Sequence, residues 1–125
     1  MTRLLLIGTG GFLGTLSRYA LGGLVYRLLS DPWLPWGTLA CNLLGCLAIG
    51  FLGGLGEFRQ FWNPQFRLLI LIGFLGGFTT FSTFGYETFG LIRTGQFFAA
   101  LCNVGVSCIL GLTLVWVGWN LSRIV

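Results

Sequence analysis

Histidine and lysine are absent from this 125-residue sequence, and Asp31, Glu57 and Glu87 are its only acidic residues. Without histidine there is no imidazole to ligate zinc, and no side chain whose ordinary pKa lies near neutrality. Charged residues make up 8% of the chain, against about 25% in an average soluble domain. So little charge cannot clothe the surface of a water-soluble globule, and lipid is the solvent that fits. The basic residues are all arginines (3, 18, 27, 59, 67, 93 and 123), standing singly at or within apolar stretches. Nothing forms the basic patch that a phosphate backbone requires, which excludes nucleic acid as a partner. Cys41, Cys46, Cys102 and Cys108 lie inside apolar runs at spacings that match no zinc or redox pattern. They read as small buried hydrophobes.

Hydrophobic residues, at 55%, are what the chain has instead. A bilayer core roughly 30 Å thick needs about 20 apolar residues per helix. Four runs satisfy this, at about 4–26, 36–55, 68–92 and 97–120. The expected fold class is therefore an all-α membrane protein with four transmembrane helices, one domain over residues 1–125. The opening MTRLLLIGTGGFLG begins like a signal peptide. Its apolar stretch runs on too far for a signal core, so it reads as the first span. DPWLPW and EFRQFWNPQFR carry the tryptophans and prolines of interfacial loops. Glycine, 21 residues in all, recurs at small-xxx-small spacing in Gly10/Gly14, Gly50/Gly54 and Gly73/Gly77, as tight helix packing in lipid requires.

With four spans, both termini share one side of the membrane. That side holds Arg3, Arg59, Arg67 and Arg123, the other Arg27 and Arg93. So weak a positive-inside bias permits insertion both ways round, and hence an antiparallel dimer.

A polar group within a span is costly, so each one needs a reason. Arg18 lies on the Gly10/Gly14 face of the first span. It can snorkel to the interface or attract an anion at a vestibule. Thr38 and Asn42 stand one turn apart in the second span, and Asn103 and Ser107 one turn apart in the fourth. Such groups either hydrogen-bond between helices or line a path through the bundle. The third span reads GFLGGFTTFSTFGYETFG from Gly73 to Gly90, with six glycine or hydroxyl positions from Gly76 to Thr83. Phe78, Phe81 and Phe84 recur at every third residue. A double glycine followed by Thr-Thr predicts a third helix broken mid-membrane. A break at that depth is tolerated only within protein or beside a watery cavity. The carbonyls it frees are ligands that build cation sites in channels and transporters. The competing expectation is a kink filled by neighbouring helices.

GGFLGTLSRY, GTLACNLLG, GFLGGFTTFSTF and NVGVS, in that order along the chain, resemble the Fluc (CrcB) family of fluoride channels. TTFSTF behind a double glycine is the specific element. The resemblance implies an antiparallel dual-topology homodimer with two fluoride pores along the subunit interface. It also implies a structural sodium ion at the dimer centre, held by the backbone carbonyls of Gly76 and Thr79 from both copies. The family's pore phenylalanines match Phe81 and Phe84, its pore asparagine Asn42 and its fourth-span hydroxyl Ser107. Thr38 continues the Asn42 face. Arg18 and Glu87 match polar positions near the vestibules, and Asn103 falls at a pore-facing family position.

The residues carry a consistent chemistry of their own. Fluoride is small and strongly hydrated, so a pore must replace its water with amide N–H and hydroxyl donors and with the positive edges of phenylalanine rings. The expected function is a passive fluoride channel, not an enzyme, in the cell (inner) membrane. It would lower fluoride toxicity by letting the trapped anion out. Two other classes compete with it. A small dual-topology multidrug exporter needs an embedded carboxylate, and the first span offers none. A non-transporting assembly subunit predicts no conductance.

Overall fold

The computed structural model describes residues 1–31, 33–59 and 63–125; Pro32, Gln60, Phe61 and Trp62, parts of the two interfacial loops expected above, lie outside the described residues. Among the described residues, four helical segments are long and apolar enough to cross a membrane: Thr2–Leu28, Trp36–Arg59, Pro64–Arg93 and Phe97–Ser122. Two of them start where the apolar runs do, at Trp36 and Phe97, and the other ends lie one to four residues outside the runs, because backbone hydrogen bonding continues where hydropathy has already fallen.

The first two segments are single helices, α1 (Thr2–Leu28) and α2 (Trp36–Arg59). The third is composite. A short α3 (Pro64–Phe66), capped by the Asn63 side chain, runs into a π-helix over Arg67–Phe74 and then α4 (Leu75–Phe78). Thr79 (φ −89°, ψ 157°) and Thr80 (φ −151°, ψ 122°) are extended, and α5 (Phe81–Arg93) follows. Gly95, at φ 78°, turns the chain into α6 (Phe97–Ser122).

Helix α2 packs most extensively on α6, and α1 packs on the π-helix and α4. Glycines make both seams close. A Cβ on Gly10 would lie 3.0 Å from Gly73 Cα, and one on Gly77 would lie 3.1 Å from Gly11 Cα. On the other seam, a Cβ on Gly118 would lie 3.2 Å from the Gly50 carbonyl carbon. Backbones approach this closely only where neither helix carries a side chain. Few side chains are fully enclosed. Cys41, Asn103 and Ser122 are the largest of them, while Phe12, Tyr19, Phe81, Tyr86 and Trp116 point outward. An outward apolar surface suits lipid or another membrane helix and would be untenable in water.

Candidate functional site

The extended pair Thr79–Thr80 is the centre of the site, and its shape has identifiable causes. Leu75 O accepts both the Thr79 N–H (3.0 Å) and the Thr79 hydroxyl (2.9 Å), closing α4. Thr80 caps α5: its Oγ1 accepts the Thr83 N–H at 3.2 Å. The remaining groups of Thr80 are taken by α2. Asn42 Oδ1 accepts the Thr80 N–H at 2.8 Å, and Asn42 Nδ2 donates to Thr80 O at 3.1 Å. Because one partner is an N–H and the other a carbonyl, the amide has one possible orientation. This reciprocal pair diverts the Thr80 N–H from the Gly76 carbonyl that a continuous helix would give it. The last carbonyls of a helix lack intrahelical partners, and those of Gly76 and Thr79 fall in this group.

Around the interruption lies a cavity of about 420 Å³. Asn42, Gly76, Thr79, Phe81, Phe84 and Ser107 all line it. The Phe81 and Phe84 rings are 5.6 Å apart and tilted by 40°. Phe78 does not join them; it is buried and stacks on Phe74 at 5.8 Å. Ser107 Oγ is buried with no hydrogen-bond partner among the described residues. Asn42 Nδ2 has used one of its two N–H groups on Thr80, so one donor remains. Amide, hydroxyl and aromatic side chains from three helices, together with Gly76 and Thr79, thus border one cavity.

A second cavity, about 460 Å³, brings together Arg18, Thr38 and Glu87. Thr38 Oγ1 donates to Glu87 Oε1 at 2.9 Å, and the Tyr26 hydroxyl donates to the same oxygen at 3.4 Å. Glu87 Oε2 is buried without a partner among the described residues. Thr38 thus sits with Arg18 and Glu87 instead of beside Asn42 in the first cavity. Thr80, between α4 and α5, lines both cavities. Asn103 stands apart from both. It is 1% exposed, and its Nδ2 donates to Thr88 Oγ1 at 2.8 Å, tying α6 to α5.

Reading residues in order does not single out Thr80. It is the residue whose N–H, carbonyl and hydroxyl are all engaged at the break. The available signal was the β-branched Thr-Thr pair directly before the α5 hydrophobic pattern, with a hydroxyl at the N-cap position.

Comparison with known proteins places these residues in context. The family described as "CrcB-like protein, Camphor Resistance (CrcB)" matches residues 5–119. A "Fluoride-specific ion channel FluC" from Nitratidesulfovibrio vulgaris (strain Miyazaki F) is 46% identical over 125 residues, covering 100% of both chains. Proteins of the same description from Dehalococcoides mccartyi and Methylobacillus flagellatus are 42% and 40% identical. They cover 99% and 98% of this chain, and 95% and 96% of their own.

Proposed function

This chain belongs to the CrcB-like protein family, and we propose that it is a passive fluoride channel which lets cytoplasmic fluoride leave the cell. The observation that carries this reading is the convergence of Asn42, Phe81, Phe84 and Ser107 on one cavity. These residues come from three different helices, and the Ser107 hydroxyl among them is buried and unpartnered. An unpaired buried donor is costly unless something accepts from it. A desolvated fluoride ion accepts from Ser107 and from the remaining Asn42 N–H, while the positive edges of Phe81 and Phe84 face it. Arg18 and Glu87 in the adjoining cavity are the vestibule groups, with Thr38 holding the Glu87 carboxylate.

The third span is broken at membrane depth, at Thr79 and Thr80, and the working unit is an antiparallel homodimer of dual topology in the inner membrane. In support, Phe81 is 85% exposed in a single chain, so the cavity needs a second wall. A second copy supplies it. The carbonyls of Gly76 and Thr79 are hard oxygen donors, the type a sodium ion prefers. Nothing lies within 4 Å of the space a Cβ on Gly76 would fill, so the chain leaves that side open. Two carbonyls are too few for a cation, and two copies double them. When bound, sodium adds positive charge at the dimer centre.

Purified protein in liposomes loaded with fluoride releases it rapidly on this reading, whereas chloride-loaded vesicles hold their contents. Trapped fluoride, or chloride leaving equally fast, refutes the channel assignment.

A further inference from the structure

The permeation reading uses none of the chain's thiols, yet two of them open onto the same cavity. Cys46 of α2 and Cys108 of α6 line it beside Ser107. Both are free, Cys46 half-buried and Cys108 exposed. The close packing of α2 on α6 brings them near each other. A Cβ on Gly111 would lie 3.4 Å from Cys46 Sγ, and Gly111 follows Cys108 by one turn of α6. Residues three apart on a helix have Cβ atoms about 5–6 Å from each other, which puts Cys46 Sγ within about 9 Å of Cys108 Cβ on the wall of the same cavity. The other two cysteines are placed differently. Cys41 is fully buried with its Sγ donating to Arg18 O at 3.7 Å, and Cys102 lines neither of the two cavities.

We propose that Cys46 and Cys108 form a two-sulfur site for a soft, thiophilic divalent cation, and that the bound ion closes the cavity to fluoride. The closing half of this rests on the channel reading; the site itself does not. Soft thiolates select soft metals. Among the described residues no group of three or more His, Cys, Asp or Glu could hold a metal. Ions that demand three or more such side chains are therefore unserved, while an ion satisfied by two sulfurs in line is not. On binding, each S–H bond breaks, its electron pair goes to the metal and its proton leaves to water. No electron is transferred. A divalent ion with two thiolates is neutral, so no net charge has to be held at membrane depth.

Mercuric nitrate is the probe. Protein in liposomes is titrated with it while fluoride release is followed, and mercury retained by purified protein is measured by elemental mass spectrometry. Wild type retains one ion per chain and loses fluoride release, and excess dithiothreitol reverses both. C46S and C108S each lose retention and keep their own rates of release in the presence of mercury, whereas C102S behaves as wild type. Equal retention by C46S or C108S overturns the site. A second measurement needs no variant: mercury shields Cys46 and Cys108 of wild type from maleimide, read by peptide mass spectrometry, and unshielded thiols overturn the site as well. Mercury held by both cysteines with release undiminished overturns closure of the pore. Protein that releases no fluoride even without mercury refutes the channel reading, and retention then still decides the site.

Discussion

Replacing Asn42 by alanine removes the α2 side chain that bonds both backbone groups of Thr80, between α4 and α5. In the wild-type structure its amide makes two bonds to a single residue, 2.8 Å from the Thr80 N–H and 3.1 Å to the Thr80 carbonyl. Interhelical hydrogen bonds in membrane proteins contribute about 0.6 kcal/mol on average and up to about 1.7. Losing the pair therefore costs roughly 1–3 kcal/mol, against a total stability on the order of 5–15 kcal/mol. The variant stays folded but is measurably weaker. Its function falls much further, since the same substitution removes the free amide N–H from the cavity and releases the Thr80 N–H back toward the Gly76 carbonyl. Thermal unfolding in detergent and fluoride release from liposomes are measured on the same preparation. Asn42→Asp separates the two contributions. It keeps an acceptor for the Thr80 N–H but sets a carboxylate oxygen against the Thr80 carbonyl and offers no N–H to an anion. Release is lost in both variants. If Asn42→Ala unfolds at the wild-type temperature and conducts fluoride at the wild-type rate, Asn42 neither shapes the break nor lines the path.

Changing Phe81 or Phe84 to isoleucine removes a positive ring edge while keeping apolar bulk, so fluoride release drops with the fold retained; normal flux in both variants takes them out of the pore. Gly77→Ala puts a Cβ 2.5 Å from Gly11 O, and overpacking of this kind costs about 1–3 kcal/mol, seen as earlier unfolding. Gly76→Ala meets nothing within 4 Å of its own chain, so the protomer tolerates it and the loss appears in dimer content by light scattering; an intact, active Gly76→Ala dimer argues against a shared ion there. Replacing sodium throughout by a large organic cation abolishes release or dimer order, and unchanged behaviour removes sodium as a structural component.

Hydropathy was enough to read four helices from the residue order, because apolar side chains in lipid leave the backbone no alternative to satisfying itself within each span. Glycine and hydroxyl residues marked Gly76 to Thr83 as a stretch of poor helix propensity, which is a local property, and Thr79 and Thr80 are extended within it. Which polar groups meet was another matter. Thr38 and Asn42 stand one turn apart on α2, yet Thr38 bonds Glu87 and Asn42 bonds Thr80. Asn103 and Ser107 stand one turn apart on α6, yet one bonds Thr88 away from the cavity and the other borders it, its buried hydroxyl without a partner among the described residues. Phe78 shares the spacing of Phe81 and Phe84, but the interruption between them turns it into the core. Periodicity assigns a residue to a face of its own helix. What that face meets depends on how glycine lets α1 approach α4 and α2 approach α6, and on pairings as distant along the chain as Asn42 and Thr80. The apolar spans with their sparse polar positions were therefore determined by the sequence alone. The tertiary structure decided which of those polar groups are spent on holding the fold and which, like the Ser107 hydroxyl, are left without a partner among the described residues.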